Sequence, residues 1–411
     1  MTSDFWKIRY GESIYILSSR IFISIMTLYL LHNDNVWLSS CFLAIYFLSK
    51  SVFGFFLAHK FEQFGKKRLL IQLILLFICM LLATMLLKSM PVSLLALMPI
   101  AVGVGFVEAF FAPIVNAFIP TIVDNNFIIE AFRKTFLIQA SNNLFGIAIG
   151  MGAYQLAGFD NMIWAIIFLS LISLVILNSI NCKGIPASSN SSLTSNNMKN
   201  AMAIFIGYRF EPWWAFSSMV VNMFLVSFSS FIIPYFITKV VGGEPVTIGL
   251  IEGCAAGGAI FSSCYLQKKI EPIIGKSRSV ILSFFTIGAC FLLFSFTNHI
   301  GVWSVLAFII GIAIVMNNVS IESSRSIAIP ERNRVKVQTI HNAFIGIGNP
   351  LGLLLTPFII SNYGYVSALI VSASAIIIIS IFIRFIPLFY ELLAHKQEDI
   401  ADLYEREYGG L

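Results

Sequence analysis

Three ionisable side chains stand inside long apolar runs of this 411-residue chain: Arg20, Glu108 and Glu252. A charged group at the middle of a membrane helix costs about 2.5–3.5 kcal/mol on insertion scales, so each one needs a partner or a use. Arg20 and Glu108 lie a similar number of residues from the basic ends of their segments. At about 1.5 Å per residue both would sit roughly 13–15 Å deep, near the middle of a hydrocarbon layer about 30 Å thick. Opposite charges at one depth can form a pair that a ligand or a proton breaks, or a fixed pair that only stabilises a bundle. Glu252, in Ile251-Glu252-Gly253-Cys254, is surrounded by glycines that permit close helix packing. It is read either as a proton-coupling carboxyl or as a packing-region carboxyl facing a neighbouring helix. Asn222, Asn317 and Asn318 can hydrogen-bond a polar ligand or one another across helices. Gln139, Asn142 and Asn143 read as interhelical glue. Glu322 and Arg325 read as a local pair one turn apart, and His341 as a lone histidine with relay capability.

The elements that must hold these groups follow from composition. The chain is 58% hydrophobic and only 11% charged, against about 25% charged in soluble domains. Its solvent is therefore lipid, where every backbone group must be paired within its own segment or in a closed barrel. The apolar runs are continuous over some 20 residues, as in 69–87 and 366–389, which matches helices rather than the roughly 10-residue alternating strands of a barrel. Twelve spans are predicted: 12–31, 36–58, 69–89, 93–117, 134–157, 162–180, 213–240, 246–266, 279–297, 301–322, 338–360 and 365–389. Of the 26 Lys and Arg, all but four fall on one side; Lys88 and Lys239 border the other, and Arg20 and Lys50 lie within spans. This asymmetry places both termini in the cytoplasm. The first segment reads as an uncleaved helix, without a small-residue cleavage site. The cysteines do not pair across an external loop, so no disulfide is expected.

The chain repeats itself. Lys60, Glu62, Gly65, Lys66 and Arg68 return as Lys269, Glu271, Gly275, Lys276 and Arg278, with the two loop glycines 210 residues apart. Ile119-Pro120 returns as Ile329-Pro330, and Gly158 as Gly364. Two halves follow: an N-terminal six-helix bundle over 1–180 and a C-terminal one over 213–389. Between them, 181–212 is a Ser/Asn-rich cytoplasmic linker. It ends in a short interfacial helix marked by Met198, Met202 and Phe205, with Trp213 and Trp214 as membrane anchors. The tail over 390–411 is charged and expected to be solvated.

Twelve helices in two six-helix halves, a polar linker and basic loops after spans two and eight resemble the major facilitator superfamily. The specific signal is the loop after span two. The family pattern, roughly Gly-x-Leu-Ala-Asp-Arg-x-Gly-Arg-Arg, is matched here by Gly54, Leu57-Ala58-His59-Lys60 and Gly65-Lys66-Lys67. His59 stands where the family has its aspartate, and two extra residues precede Gly65; Glu62 stands in for the carboxylate. The resemblance implies an all-α fold with spans one, four, seven and ten around a central cavity. It also implies a cytoplasmic gate at Gly54, His59, Lys60, Glu62, Gly65, Lys66 and Arg68, repeated at Lys269, Glu271, Gly275 and Arg278; the plainer reading of these charges is that they mark the cytoplasmic side. Arg20 and Glu108 would then meet across the cavity, with Asn222, Asn317 and Asn318 facing it from the second half, and Phe110, Phe111 and Trp214 are candidates for its floor. Residues 109–146, with Pro113, Pro120 and the Asn143-Leu144-Phe145-Gly146 stretch, resemble the siderophore-exporter and drug-efflux branch.

The implied function is secondary active transport in a bacterial-type inner membrane, with proton-coupled export of a small siderophore- or drug-like molecule by alternating access. Uptake of a nutrient or iron chelate by the same fold is the alternative. A non-transporting signalling or accessory protein is a third reading, which the buried charges disfavour. The expected partners are a small molecule, protons and the bilayer; no nucleic acid is expected, and the chain is expected to be monomeric. No phosphate-binding Gly-x-x-x-x-Gly-Lys-Ser/Thr loop or His-Glu-x-x-His motif is present in the sequence, so neither ATP drive nor a metal or other cofactor is expected, and the chain is not expected to be an enzyme.

Overall fold

The computed structural model describes residues 3–33, 36–61, 66–90, 93–116, 123, 128–180, 195–394 and 403–408, and in these it is helical with no strand. The helices are α1 (Ser3–His32), α2 (Val36–Phe61), α3 (Lys66–Ser89) and α4 (Met98–Asn116). A further continuous element, Ile128–Asn178, is broken at Gly158, whose φ of 74° only glycine adopts readily; the parts on either side are α5 (128–157) and α6 (159–178). Then follow α7 (Ser195–Gly207), α8 (Phe210–Ser227), α9 (Pro245–Phe261), α10 (Lys276–Phe294), α11 (Ile300–Ala328), α12 (Glu331–Tyr363), α13 (Tyr365–Phe382), α14 (Phe389–Ala394) and α15 (Leu403–Tyr408). Eleven stretches of the described residues are long and apolar enough to cross a membrane. The twelve predicted from sequence become eleven because Phe145–Asn178 runs through Gly158 as one stretch.

Several expectations are corrected by packing. The first helix begins at Ser3 rather than residue 12, because Arg9 and Glu12 are fully buried and paired at 2.7 Å, which lets a polar turn continue the apolar helix. The last span ends at Phe385 rather than residue 389; its α-helix stops at Phe382 and passes into a short 3-10 turn, Ile383–Phe385. Ile386 is extended (φ −68°, ψ 129°) because Pro387 follows it, and Leu388 then takes a positive φ of 61°. Trp214 is not a membrane anchor: it is buried and stacks on Phe284, whereas Trp213 is exposed. α7, the helix expected at the interface, buries Phe205, whose ring stacks on Phe344. The tail is not wholly solvated, since Leu403 and Tyr404 are buried.

The chain divides into two compact units, Met1–Ser192 with Ile233–Leu250, and Leu193–Ile232 with Ile251–Leu411. Within each, small residues let an early helix lie against a later one. A Cβ on Gly146 of α5 would meet the Cβ of Arg20 in α1 at 2.5 Å. In the second unit a Cβ on Gly352 of α12 would meet the carbonyl oxygen of Met223 in α8 at 2.1 Å. Helix packing in lipid relies on such small-residue contacts because apolar surface gains nothing by leaving the lipid tails. Beyond Ser227, α8 continues through π-type turns at Phe228–Ile232 and Phe236–Val241 on either side of Pro234, whose ring nitrogen cannot donate to the helix ladder.

Candidate functional site

The N-terminal unit gathers three helices around one carboxylate. Arg20 and Ser19 are neighbours on α1, Tyr46 and Lys50 are one turn apart on α2, and Glu108 is on α4. Glu108 Oε2 accepts from Arg20 Nη2 at 3.1 Å and from Lys50 Nζ at 2.7 Å. The Tyr46 hydroxyl also donates to Oε2, and Ser19 Oγ donates to Oε1. Arg20 Nη1 in turn donates to the Tyr46 oxygen at 3.2 Å. Glycines set this geometry: Gly146 of α5 lies on the Arg20 stem, and a Cβ on Gly105 of α4 would lie 2.5 Å from the Tyr46 carbonyl oxygen. Gly105 therefore lets α4 approach α2 at the turn that carries Tyr46 and Lys50, three residues ahead of Glu108.

Exposure is graded across the cluster. The Glu108 side chain is 7% exposed, Arg20 17% and Lys50 35%. The carboxylate is the buried anchor and the two cations lie nearer the open side. Arg20 and Glu108 were singled out in the sequence; Ser19, Tyr46 and Lys50 were not. Phe110 and Phe111 are buried, and Phe111 stacks on Tyr15 at 3.8 Å, so they back the cluster as core residues.

In the C-terminal unit Asn222, Asn317 and Asn318 line one cavity of about 90 Å³, with Trp214, Phe284 and His341 also in its wall. Asn317 Nδ2 donates to Asn318 Oδ1 at 3.2 Å, while its own buried Oδ1 has no hydrogen-bond partner among the described residues. Asn222 Nδ2 turns back to the Ser218 carbonyl at 2.8 Å. At about 30 Å³ per water, the space suits a small polar group. Glu252 lies apart from these asparagines' cavity: it is buried, with Oε1 unpartnered among the described residues.

The two basic loops are described unequally. Glu62 and Gly65, and the side chains of His59, Lys60 and Lys66, lie outside the described residues. A Cβ on Gly54 would only come into ordinary van der Waals contact with Ala109, and Arg68 is exposed. Its neighbour Lys67 donates to the carbonyls of Asn178 and Ile180 at 2.6 and 2.8 Å, tying α3 to the end of α6. The second basic segment is not a loop up to Gly275, since Gln267–Ile274 is helical; there Glu271 accepts from Ser320 Oγ at 2.9 Å, and beyond it Lys276 Nζ reaches Ser324 Oγ at 3.3 Å, so the segment docks on α11. Gly275 has φ 80° and makes the turn; Lys269 packs on the Tyr265 ring, and Arg278 is exposed.

Each unit also holds a buried arginine beyond the expected sites. Arg9 donates to Thr135 Oγ1 at 2.9 Å, and Gln139 donates to Glu12 at 2.6 Å. Asn142 donates to Ser13 at 2.7 Å, which fits the interhelical role read for it; the Asn143 side chain lies outside the described residues. Arg325 pairs with Glu322 at 2.5 Å as expected, but its guanidinium also forks onto the fully buried Glu211 at 3.1 and 2.6 Å. Tyr404 of α15 donates to the same carboxylate at 2.9 Å, and His341 Nδ1 lies 4.0 Å from it. Burial, and then the Glu211 charge, push the Tyr404 phenol well above its ordinary value, so it stays a donor.

Comparison with known proteins adds to this geometry. Residues 214–401 match the family model described as Major Facilitator Superfamily. Among curated proteins none matches. Solved structures of similar architecture include the nucleoside transporter NupG (TM-score 0.72, 13% identity, 96% of this chain and 100% of that one). The POT family transporter PepTSo is similar too (TM-score 0.73, 11% identity, 95% and 99%). So is a D-xylose-proton symporter (TM-score 0.67, 11% identity, 93% and 96%). At these identities the likeness is one of fold, and with the family match it points to a transporter rather than an enzyme. The chain is an integral membrane protein with the fold of the major facilitator superfamily, and its residues 214–401 carry that superfamily's sequence signature.

Proposed function

We propose that this chain is a secondary active transporter that moves a small organic molecule across a bacterial-type inner membrane, linked to protons, acting as a monomer with both termini in the cytoplasm. The observation that carries the reading is Glu108, a buried carboxylate held by Arg20 and Lys50 within membrane-spanning helices. A bundle needing only stability does better with apolar side chains than with buried charge. A group that must take up and release a proton, or a cargo, needs such charge. Asn222, Asn317 and Asn318 supply neutral hydrogen-bonding groups in the second unit, and Glu252 is a second carboxyl available for coupling. The basic loops around Lys60–Arg68 and Lys269–Arg278 are proposed as the cytoplasmic gate.

Outward transport of a siderophore- or drug-like molecule is the first reading, supported by the likeness of residues 109–146 to exporters of that kind. Uptake is the second. It is supported by the charges at Glu108: a proton placed there frees two cations at once, so proton and counter-charged cargo would bind together, and by the fold of a structure described as a proton symporter. A strain lacking this chain, with small molecules profiled inside and outside the cell, tests both. Intracellular build-up of a compound supports export; failure to accumulate a supplied compound supports uptake; an unchanged profile contradicts transport.

A further inference from the structure

The cavity of the second unit has polar groups that do not satisfy one another. Asn317 gives its Nδ2 to Asn318 Oδ1, and its own Oδ1 is left buried and unpartnered among the described residues. His341, in the same wall, is 2% exposed, and its Nδ1 is likewise unpartnered there. Glu211 does not claim that nitrogen. Its Oε2 lies 4.0 Å away, beyond hydrogen-bond distance, and the carboxylate already takes two N–H groups of Arg325 and the Tyr404 hydroxyl. With the His341 ring neutral and its proton on Nε2, Nδ1 is an acceptor. A buried acceptor without a donor is costly, so two in one cavity point to a group that fills it.

Charge in the wall selects that group. Glu322 also lines the cavity; Arg325 donates to its Oε1, and its side chain is 44% exposed. The fully buried guanidinium of Arg325 is turned onto Glu322 and Glu211, so two carboxylates share one cation. The described residues that line the cavity include no lysine or arginine. An anion entering it would meet Glu322 with no cation in the wall to receive it. A hydroxyl or an amide could donate to Asn317 but would leave the excess negative charge in place. A protonated amine does both, with up to three N–H donors and one positive charge. Trp214 and Phe284, stacked in the wall at 5.9 Å, add aromatic surface of the kind that attracts a cation.

We infer that this cavity receives a protonated nitrogen of the cargo, such as a primary ammonium, which donates to Asn317 Oδ1 and His341 Nδ1 with Glu322 as its counter-charge. The space of about 90 Å³ suits such a group and little of the molecule that bears it. The inference rests on the transport reading above and names one chemical group of the cargo. It makes no use of the charge state of Glu108, and it leaves the cargo free to carry an acid group as well.

The test starts from the strain lacking this chain, with and without the wild type restored. Every compound whose inside-to-outside ratio the wild type shifts is identified by mass, and those that the purified protein also moves in liposomes are kept. The expected result is that the kept compounds carry an N–H-bearing cation at neutral pH. The N-acetylated form of each should move about tenfold more slowly or less, the loss of a charge-assisted contact. Asn317→Leu should slow the unmodified compound similarly. The acetylation comparison needs only the wild type, so it stands even where the variant fails to fold. Kept compounds without such a nitrogen would overturn the inference and leave transport standing. So would an acetylated form moved at the same rate, or Asn317→Leu at the wild-type rate, which would mean that the cavity holds only water. No compound moved at all would overturn the transport reading, and the inference with it.

Discussion

Lys50 Nζ lies 2.7 Å from Glu108 Oε2, closer than the arginine that shares the same oxygen. The lysine sits on α2 and the glutamate on α4, so this contact crosses two helices whose approach is set by Gly105. The carboxylate is thus common to three helices, and changing its charge changes what all three hold.

Replacing Glu108 by Gln leaves two cations facing each other without a counter-charge. Removing one partner of a buried pair costs about 3–5 kcal/mol, so the purified variant should melt well below the wild type. Arg20→Gln combined with Glu108→Gln should recover much of the melting temperature without recovering transport. Recovery of transport by the double variant would mean that the pair serves only to hold the bundle.

Gly105 and Gly253 make opposite forecasts for the same substitution. A Cβ at Gly105 meets the Tyr46 carbonyl oxygen at 2.5 Å and Ser49 Cβ at 2.8 Å, whereas a Cβ at Gly253 meets nothing within 4 Å. Gly105→Ala should destabilise by about 1–3 kcal/mol, the usual cost of overpacking, and impair transport by displacing Lys50 and Tyr46. Gly253→Ala should leave the melting temperature unchanged. Thermal melts of the two variants in one detergent compare them directly.

The tail contact has its own signature. Tyr404→Phe removes one hydrogen bond to Glu211, worth about 1 kcal/mol, and should speed proteolytic clipping at residues 403–408. Because burial raises the Tyr404 value, its contribution is full below the ordinary tyrosine value of about 10 and is lost only as pH rises through the higher folded value. Clipping rates normalised to protease activity should therefore stay flat from pH 7 to about pH 10. A rise across that window would show that the phenol does not hold the tail.

Arg325→Lys should cost more than Tyr404→Phe, because a lysine cannot reproduce the two-pronged contact with Glu211. The remaining point charge leaves a buried carboxylate partly unsatisfied. Melts of the two variants side by side give the order, and equal losses would contradict the importance of the fork.

Much of the frame was legible in sequence for a simple physical reason. Lipid forces continuous apolar helices, and the repeat of Gly65 at Gly275 shows two halves without any knowledge of packing. The depth of Arg20 and Glu108 followed from residue counting alone, and they are in contact. Lys50 escaped because a lysine in a membrane helix also reads as a stem reaching for water. Tyr46 and Ser19 escaped because neither carries a charge; the four-residue step from Tyr46 to Lys50, which puts them on one helix face, was the available signal. The tail misled through composition: its charges suggested water, while Tyr404 and Tyr408, again four apart, formed the face that packs on Tyr208. Arg325 gave away its local partner Glu322 by spacing, but Glu211 is over a hundred residues distant, and no local pattern announces it.

The most direct measurement of the central claim is made on purified protein in sealed liposomes. Uptake of the compound identified by profiling and internal pH are followed together, for the wild type and for Glu108→Gln at equal reconstituted amounts. The account predicts that the wild type moves compound and protons in a fixed ratio, and that Glu108→Gln abolishes movement driven by a proton gradient. Glu108→Gln that retains proton-driven transport at the wild-type rate would contradict it.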